Sequence, residues 1–600
     1  MPAVLTTFVQ EPITYRVSIT EPAAHEYQIE MRVPALPSRQ TVDLVFPTWA
    51  PGSYMVRDFV RHVFRLEIAD GRGRPLPPEA IVRVDKQRWR IATAGRPLRI
   101  RYRVFAFEAT VRTSFLDDSH AYWNGTSLFF FVDGETRRPC QVVVQGPAGW
   151  QVATALPPVA RQPGTYAAAD FDELADSPFE IGAHHSRAFS VGHTRFELAL
   201  YGRTNGDPRR LTDILRRVVT ATGRIFGGFP FERYVFIVHA LPVASGGLEH
   251  RASVTMDIAG LSFDDEAGYV RFADLAAHEF FHAWNVKRIH DDQLGPFDYT
   301  KESYTRLLWL YEGCTDYLAH VIMLRAGVTR ERQFLKMIAD DWPKYATRPG
   351  RNESSLEDLS FEAWIKQYKP SENFTNRAVS YYEKGFWTAL ALDLTLRLEN
   401  GGRHGLPEMM RRLWDRFGAR DRPITDPDVR AAASAIAGKK VDRFFDRYVR
   451  GKEELPLPAL LRRAGLAIEA RADWDEADKP AAERDPVRSR RARAWTGLAL
   501  YSDRTTVRNV IPDSPAWQAG LTFNDEIVAV EGARVTASTF GKRIADHPPG
   551  ARVRVTFFRR DQLREAALTL GQSPERKLSV TVDPKSTPAA KAIRRGWFGL

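Results

Sequence analysis

His278-Glu279-Phe280-Phe281-His282-Ala283-Trp284-Asn285-Val286-Lys287-Arg288 is the stretch that decides the fold. It belongs to an apolar-patterned segment from Asp274 to Arg288 whose last turn carries Lys287 and Arg288, charges that a helix C-terminus favours. The segment is therefore expected to be a helix. On a helix, positions i and i+4 share a face, so His278 and His282 reach one metal together and Glu279 reaches a water beside it. The ligand chemistry suits tetrahedral zinc, one Zn2+ per chain; a catalytic zinc takes a third protein ligand and leaves its fourth position to water. Glu312, in Trp309-Leu310-Tyr311-Glu312-Gly313, is the candidate ligand, on a helix expected from about Glu302 to Gly327. Asp316 follows it on the same face, placed to accept a hydrogen bond from a ligating imidazole and fix its tautomer.

With 600 residues, 44% hydrophobic and 26% charged, the chain is long and apolar enough for several domains and is neither disordered nor fibrous. Its two cysteines, Cys140 and Cys314, make neither a disulfide framework nor a four-cysteine metal site, so a metal must use His and carboxylate. The net charge of +11 is mild for this length, and the densest basic run, Arg484 to Arg493, lacks interleaved aromatics. No nucleic acid is expected as a partner. The residues up to Val17 have no basic leader and carry Glu11, and no stretch approaches the roughly 18 apolar residues of a membrane span. The expectation is a cytoplasmic protein with no membrane attachment.

Period-two patterns (Tyr15, Val17, Ile19; Tyr27, Ile29, Met31, Val33; Leu98, Ile100, Tyr102, Val104) predict a β-rich N-terminal domain over 1–185. From Leu211 the period is helical, broken by a strand-like Tyr234 to Ala240, which predicts a mixed, mostly helical catalytic domain over 186–470. A charged linker is expected at 471–493, a compact β module at 494–575 with short strands around Asp513-Ser514-Pro515 and Ala519-Gly520-Leu521, and a tail at 576–600. The fold class is multidomain α+β.

The HExxH segment with Glu312 and Asp316 downstream resembles the gluzincin metallopeptidases. Together with Pro47-Thr48-Trp49-Ala50-Pro51-Gly52-Ser53-Tyr54, it closely resembles the glycyl aminopeptidase family with a C-terminal PDZ domain, over nearly the whole chain. That resemblance implies a thermolysin-like catalytic domain, with an α/β part and a helical part meeting at the zinc, and a preference for N-terminal Gly or Ala. Gly246-Gly247-Leu248-Glu249-His250 resembles the Gly-x-Met-Glu-Asn motif of the related aminopeptidase N family. It implies that Glu249, in a glycine-opened loop with Gly247, holds the substrate's free ammonium group; His250 departs from the motif and its role stays open. Tyr381-Tyr382-Glu383-Lys384-Gly385 heads a helix and resembles that family's transition-state tyrosine motif, implying Tyr382 as the oxyanion donor with Tyr381 as its rival. Trp495-Thr496-Gly497-Leu498, with Asn524 to Val530, resembles a PDZ domain of the bacterial protease-associated kind, whose loop around Gly497 and Leu498 would capture peptide C-termini.

The expected function is a zinc aminopeptidase acting on peptides with free N-termini, with Glu279 as general base taking the water's proton and passing it to the leaving amine. Two alternatives stand: a zinc endopeptidase in which Glu249 is structural, and a PDZ peptide-binding adaptor on an inactive peptidase scaffold.

Overall fold

A computed structural model describes residues 10–243, 245–472, 494–574 and 576–599. The chain divides into two units, Met1–Thr305 with Leu318–Thr329 and Pro407–Ala432, and Arg306–Tyr317 with Arg330–Leu406 and Ala433–Leu600.

In the first unit, the alternating residues of the N-terminal third become strands with one buried face. Ile13–Ser18 buries Ile13, Tyr15 and Val17, and pairs in parallel with Cys140–Gln145 and antiparallel with Glu26–Val33. They belong to a six-stranded sheet, and two four-stranded sheets belong to the same β-rich region. A five-stranded sheet follows, in the order His185–Val191, Thr194–Gly202, Arg233–Leu241, Ser253–Ala259, Ser245–Glu249. Its middle strands are parallel, and Ser245–Glu249 turns back antiparallel to form an edge. Helix Pro208–Phe226 makes the crossover, capped by Asp207 at its start and by left-handed Gly227 at its end.

Several sequence expectations shift here. The motif helix runs Glu266–Phe281, starting earlier and ending earlier than expected, because His282 turns its ring to the carbonyl of Asn285 and the chain bends away. Lys287 and Arg288 are buried partners of Asp176 and of the Ala283 and Arg251 carbonyls, so they do not form a solvated last turn. The glycine-opened loop around Glu249 is instead an edge strand.

The helix expected from Glu302 begins at the π-helical turn Trp309–Gly313 and continues as Cys314–Arg325. Helix Tyr381–Asn400 is capped by Ser380, which accepts from the Tyr382 N–H, and ends at left-handed Gly401. Strand Leu466–Ala472 pairs antiparallel with Arg576–Val582. The C-terminal β module, with its own core of Val507, Ile527, Val555 and Leu568, is therefore inserted between the two strands of one ladder. The segment 513–521 forms a helical turn, Pro515–Gln518, where strands were expected, because Ser514 caps it by accepting from the Trp517 N–H. The segment read as a tail forms the strand Arg576–Val582 and the helix Pro588–Phe598. Trp597 of that helix, fully buried, donates to the Tyr317 hydroxyl at 2.8 Å, and Tyr317 donates on to Asp393. The expected linker, beyond Arg471 and Ala472, lies outside the described residues. Among the described residues no helix is long and apolar enough to cross a membrane.

Candidate active site

The two phenylalanines of the motif fix its helix. The Phe280 ring lies 5.0 Å from Tyr234 and 5.7 Å from Phe236 on the five-stranded sheet, while Phe281 packs 5.4 Å from Phe226 of the crossover helix. With both apolar positions held, His278, Glu279 and His282 are left for chemistry. His282 Nδ1 lies 2.7 Å from the Asn285 carbonyl oxygen. A carbonyl only accepts, so Nδ1 carries the proton and Nε2 presents a lone pair. That Nε2 stands 2.9 Å from His278 Nε2. Two imidazole nitrogens converging in this way make a donor pair for a zinc-type metal.

The edge strand Ser245–Glu249 borders this pair. A Cβ on Gly247 would fall 2.1 Å from Glu279 Oε1, so only glycine lets the strand lie over the carboxylate of the motif. Two residues on, Glu249 is only 4% exposed, and among the described residues its Oε1 has no hydrogen-bond donor. One ligand atom each of Glu249, Glu279 and His282 lie within 4.8 Å of one another. Gly52, at φ +86°, closes the other side: a Cβ there would stand 2.5 Å from Glu249 Oε1. The segment that carries Gly52 is anchored by the Thr48 N–H and Trp49 Nε1, which donate to the carbonyls of Tyr299 and Asp298. The segment that carries the family resemblance thus also walls the Glu249 carboxylate, a long-range contact that no local sequence pattern announces.

His250, left open by the sequence, is part of a buried anchor. Its Nδ1 lies 3.1 Å from Asp176, which also pairs with Lys287 Nζ at 2.6 Å and accepts from the Arg251 N–H. Burial alone would raise the Asp176 carboxyl, but Lys287 and His250 hold it well below the usual range. The anchor ties the end of the edge strand to the segment after the motif helix.

In the second unit, Glu312 is buried on the π-helical turn, a wide turn found often at functional positions, which also changes its facing relative to Asp316 from simple α-helical spacing. Tyr382 heads its helix, and burial, then Glu312, push its hydroxyl well above the ordinary tyrosine pKa. It stays a neutral O–H donor. The rival Tyr381 is fully buried with its hydroxyl 2.8 Å from that of Tyr368. In the C-terminal β module, Gly497 (φ +77°) packs where a Cβ would stand 2.1 Å from Ser514 Cβ, and the Leu498 N–H donates to Thr496 Oγ1.

Three family profiles match: the peptidase M61 N-terminal domain at residues 14–183, the M61 glycyl aminopeptidase at 271–387 and the PDZ domain at 487–570. A crystal structure of an aminopeptidase N family protein from Idiomarina loihiensis is 30% identical, with a TM-score of 0.89 over 98% of this chain and 100% of that one. The chain belongs to the M61 glycyl aminopeptidase family. This M61 chain is accordingly a peptidase of the metallo-aminopeptidase kind, built of a β-rich N-terminal domain, a helical catalytic region and a PDZ module. Weaker likenesses include an M1 zinc metallopeptidase from Deinococcus radiodurans (15% identity, TM-score 0.47, 75% of this chain and 95% of that one). Legionella pneumophila aminopeptidase A is another (14% identity, TM-score 0.47, 95% and 58%). No curated protein matches the sequence.

Proposed function

We propose that the chain is a zinc aminopeptidase that removes an N-terminal glycine or alanine from peptides. The observation that carries this reading is Glu249 Oε1, a buried carboxylate oxygen with no donor among the described residues, grouped with Glu279 and His282. A buried carboxylate without a donor is costly unless a cation meets it, and a peptide's α-ammonium group is that cation. Gly52 against the same carboxylate supports a small first residue, since it narrows the space beside the ammonium.

His278, His282 and Glu312 would hold the zinc, whose two-imidazole, one-carboxylate set suits that metal better than the oxygen-only sets of calcium or magnesium. When bound, zinc acidifies a water and polarises the scissile carbonyl. Glu279 takes the water's proton and returns it to the leaving amine. Glu249 fixes the substrate's N-terminus and thereby the bond that is cut. Tyr382, kept neutral, donates to the developing oxyanion. Asp316 would orient a ligating imidazole, and the loop at Gly497 and Leu498 would receive peptide C-termini.

The test compares glycine p-nitroanilide with its N-acetylated twin, before and after chelation and zinc add-back. We expect cleavage of the free amine alone, abolished by the chelator and restored by zinc. Equal cleavage of both compounds would overturn the role of Glu249.

A further inference from the structure

Arg112 lies far from the motif in sequence and reaches the same edge strand. Its Nη2 donates to the Gly247 carbonyl at 3.2 Å, and its Nη1 lies 4.0 Å from where a Cβ on Gly246 would stand. The side chain is half-buried, and among the described residues no carboxylate pairs with it. The loop that carries it is built to hold still. Tyr122 OH donates to the neighbouring Val111 carbonyl at 2.9 Å and lies 3.0 Å from Thr255 Oγ1 on the adjoining sheet strand. The Arg112 N–H donates to Thr110 Oγ1, and Thr113 Oγ1 donates to the Glu108 carbonyl.

A half-buried guanidinium that satisfies one carbonyl has donors to spare, and its planar fork matches a carboxylate. Its place along the strand says which one. In a β-strand the N–H and C=O of one residue point to the same side. The Gly247 carbonyl that Arg112 meets therefore marks the open edge, along which an extended peptide would lie. Glu249, which takes the ammonium group in the function proposed above, is two residues further on, about 7 Å along an antiparallel strand. An extended dipeptide spans about the same length, roughly 7 Å. One anion site and one cation site are thus spaced for the two charged ends of one dipeptide, and the Glu279 carboxylate lies against Gly247 on the same strand.

We propose that Arg112 binds the C-terminal carboxylate of the substrate and that the preferred substrates are dipeptides with a small first residue. The inference rests on the aminopeptidase reading and deepens it. A longer peptide or an amide leaves the guanidinium without its counter-charge, so discrimination falls on KM more than on kcat.

The experiment measures kcat/KM of the full chain for Gly-Ala, for Gly-Ala amide and for glycine p-nitroanilide, in wild type, Arg112→Ala and Arg112→Lys. We expect wild type to favour Gly-Ala over its amide at least tenfold. That ratio should collapse towards one in Arg112→Ala and be partly restored in Arg112→Lys. A wild-type ratio near one with glycine p-nitroanilide still cleaved, or a ratio that Arg112→Ala leaves intact, overturns this inference alone and makes Arg112 a strand cap. If wild type cleaves none of the three compounds, the aminopeptidase reading falls and this inference falls with it.

Discussion

Gly313 and Gly385 meet backbone to backbone: a Cβ on Gly313 would stand 2.4 Å from the Gly385 Cα, and one on Gly385 would stand 2.9 Å from the Gly313 Cα. Glu312 immediately precedes the first glycine and Tyr382 lies one helical turn before the second. This crossing sets the relative height of the Glu312 carboxylate and the Tyr382 hydroxyl. Because both neighbours are backbone, an added methyl has nowhere to go. For Gly385→Ala we expect a loss of about 1–3 kcal/mol in stability and about 100-fold in kcat/KM, read by thermal melting and kinetics on glycine p-nitroanilide.

Glu279→Gln keeps the side chain's shape and removes its basicity. Turnover should fall about a thousandfold or more while metal content, measured by elemental analysis, stays at the wild-type value. Appreciable activity in the metal-loaded variant would remove Glu279 as the base.

Gly247→Ala makes the complementary test by leaving the base in place chemically and pushing it aside. The new Cβ would overlap the Glu279 carboxylate, so we expect kcat to fall about 100-fold while the zinc content stays unchanged. A variant that keeps full kcat would show that the carboxylate has no fixed position to lose.

His239 predicts a pH dependence of stability. It is buried between Asp257, 3.0 Å from Nδ1, and Glu180, 3.1 Å from Nε2. Burial works against its charge, yet the two carboxylates outweigh it and raise its pKa to about 9. Burial pushes the Glu180 carboxyl up as well, and His120 beside it is pushed down to about 3 by burial and by His239. The ring charge is held more tightly folded than unfolded, so its contribution is full below about pH 6.5 and is lost as pH rises through about 9. Calorimetry should show the melting temperature falling across that window, and His239→Gln should lower it at pH 6.5 and flatten the profile.

Trp597 supports the last prediction. It closes a fully buried chain of Tyr317, Asp393 and Arg397, in which Asp393 accepts from Arg397 Nε at 3.0 Å. Trp597→Ala should cost about 3–5 kcal/mol. Excising residues 473–575 and joining the paired strands through a short linker should cost far less by the same melting assay.

The sequence discloses features that repeat locally and hides those made by distant contacts. Alternation at Tyr15, Val17 and Tyr27, Ile29 marks strands because one face is buried, and the pattern from Tyr234 to Ala240 finds Arg233–Leu241. The spacing of His278 and His282 foretells converging rings, since geometry at i and i+4 is set by the helix itself. The end of that helix is misjudged because it depends on where the Asn285 carbonyl turns. The strand at Gly246 and Gly247 is hidden by glycine's low strand preference, which the pairing with Ser253–Ala259 overrides. Gly52 and Arg112 join the site from the N-terminal region with no periodicity to announce them. The last helix did leave a signal: Thr587-Pro588 is a capping start, and left-handed Gly599 follows its end.

The pairing of Leu466–Ala472 with Arg576–Val582 bears on how such a protein can change over generations. A stop codon anywhere inside the PDZ module would also delete one strand of the ladder and the helix that carries Trp597. The module is thus protected from casual loss by nonsense mutation or exoproteolytic nibbling. It can be discarded only by an in-frame internal deletion that leaves both paired strands behind.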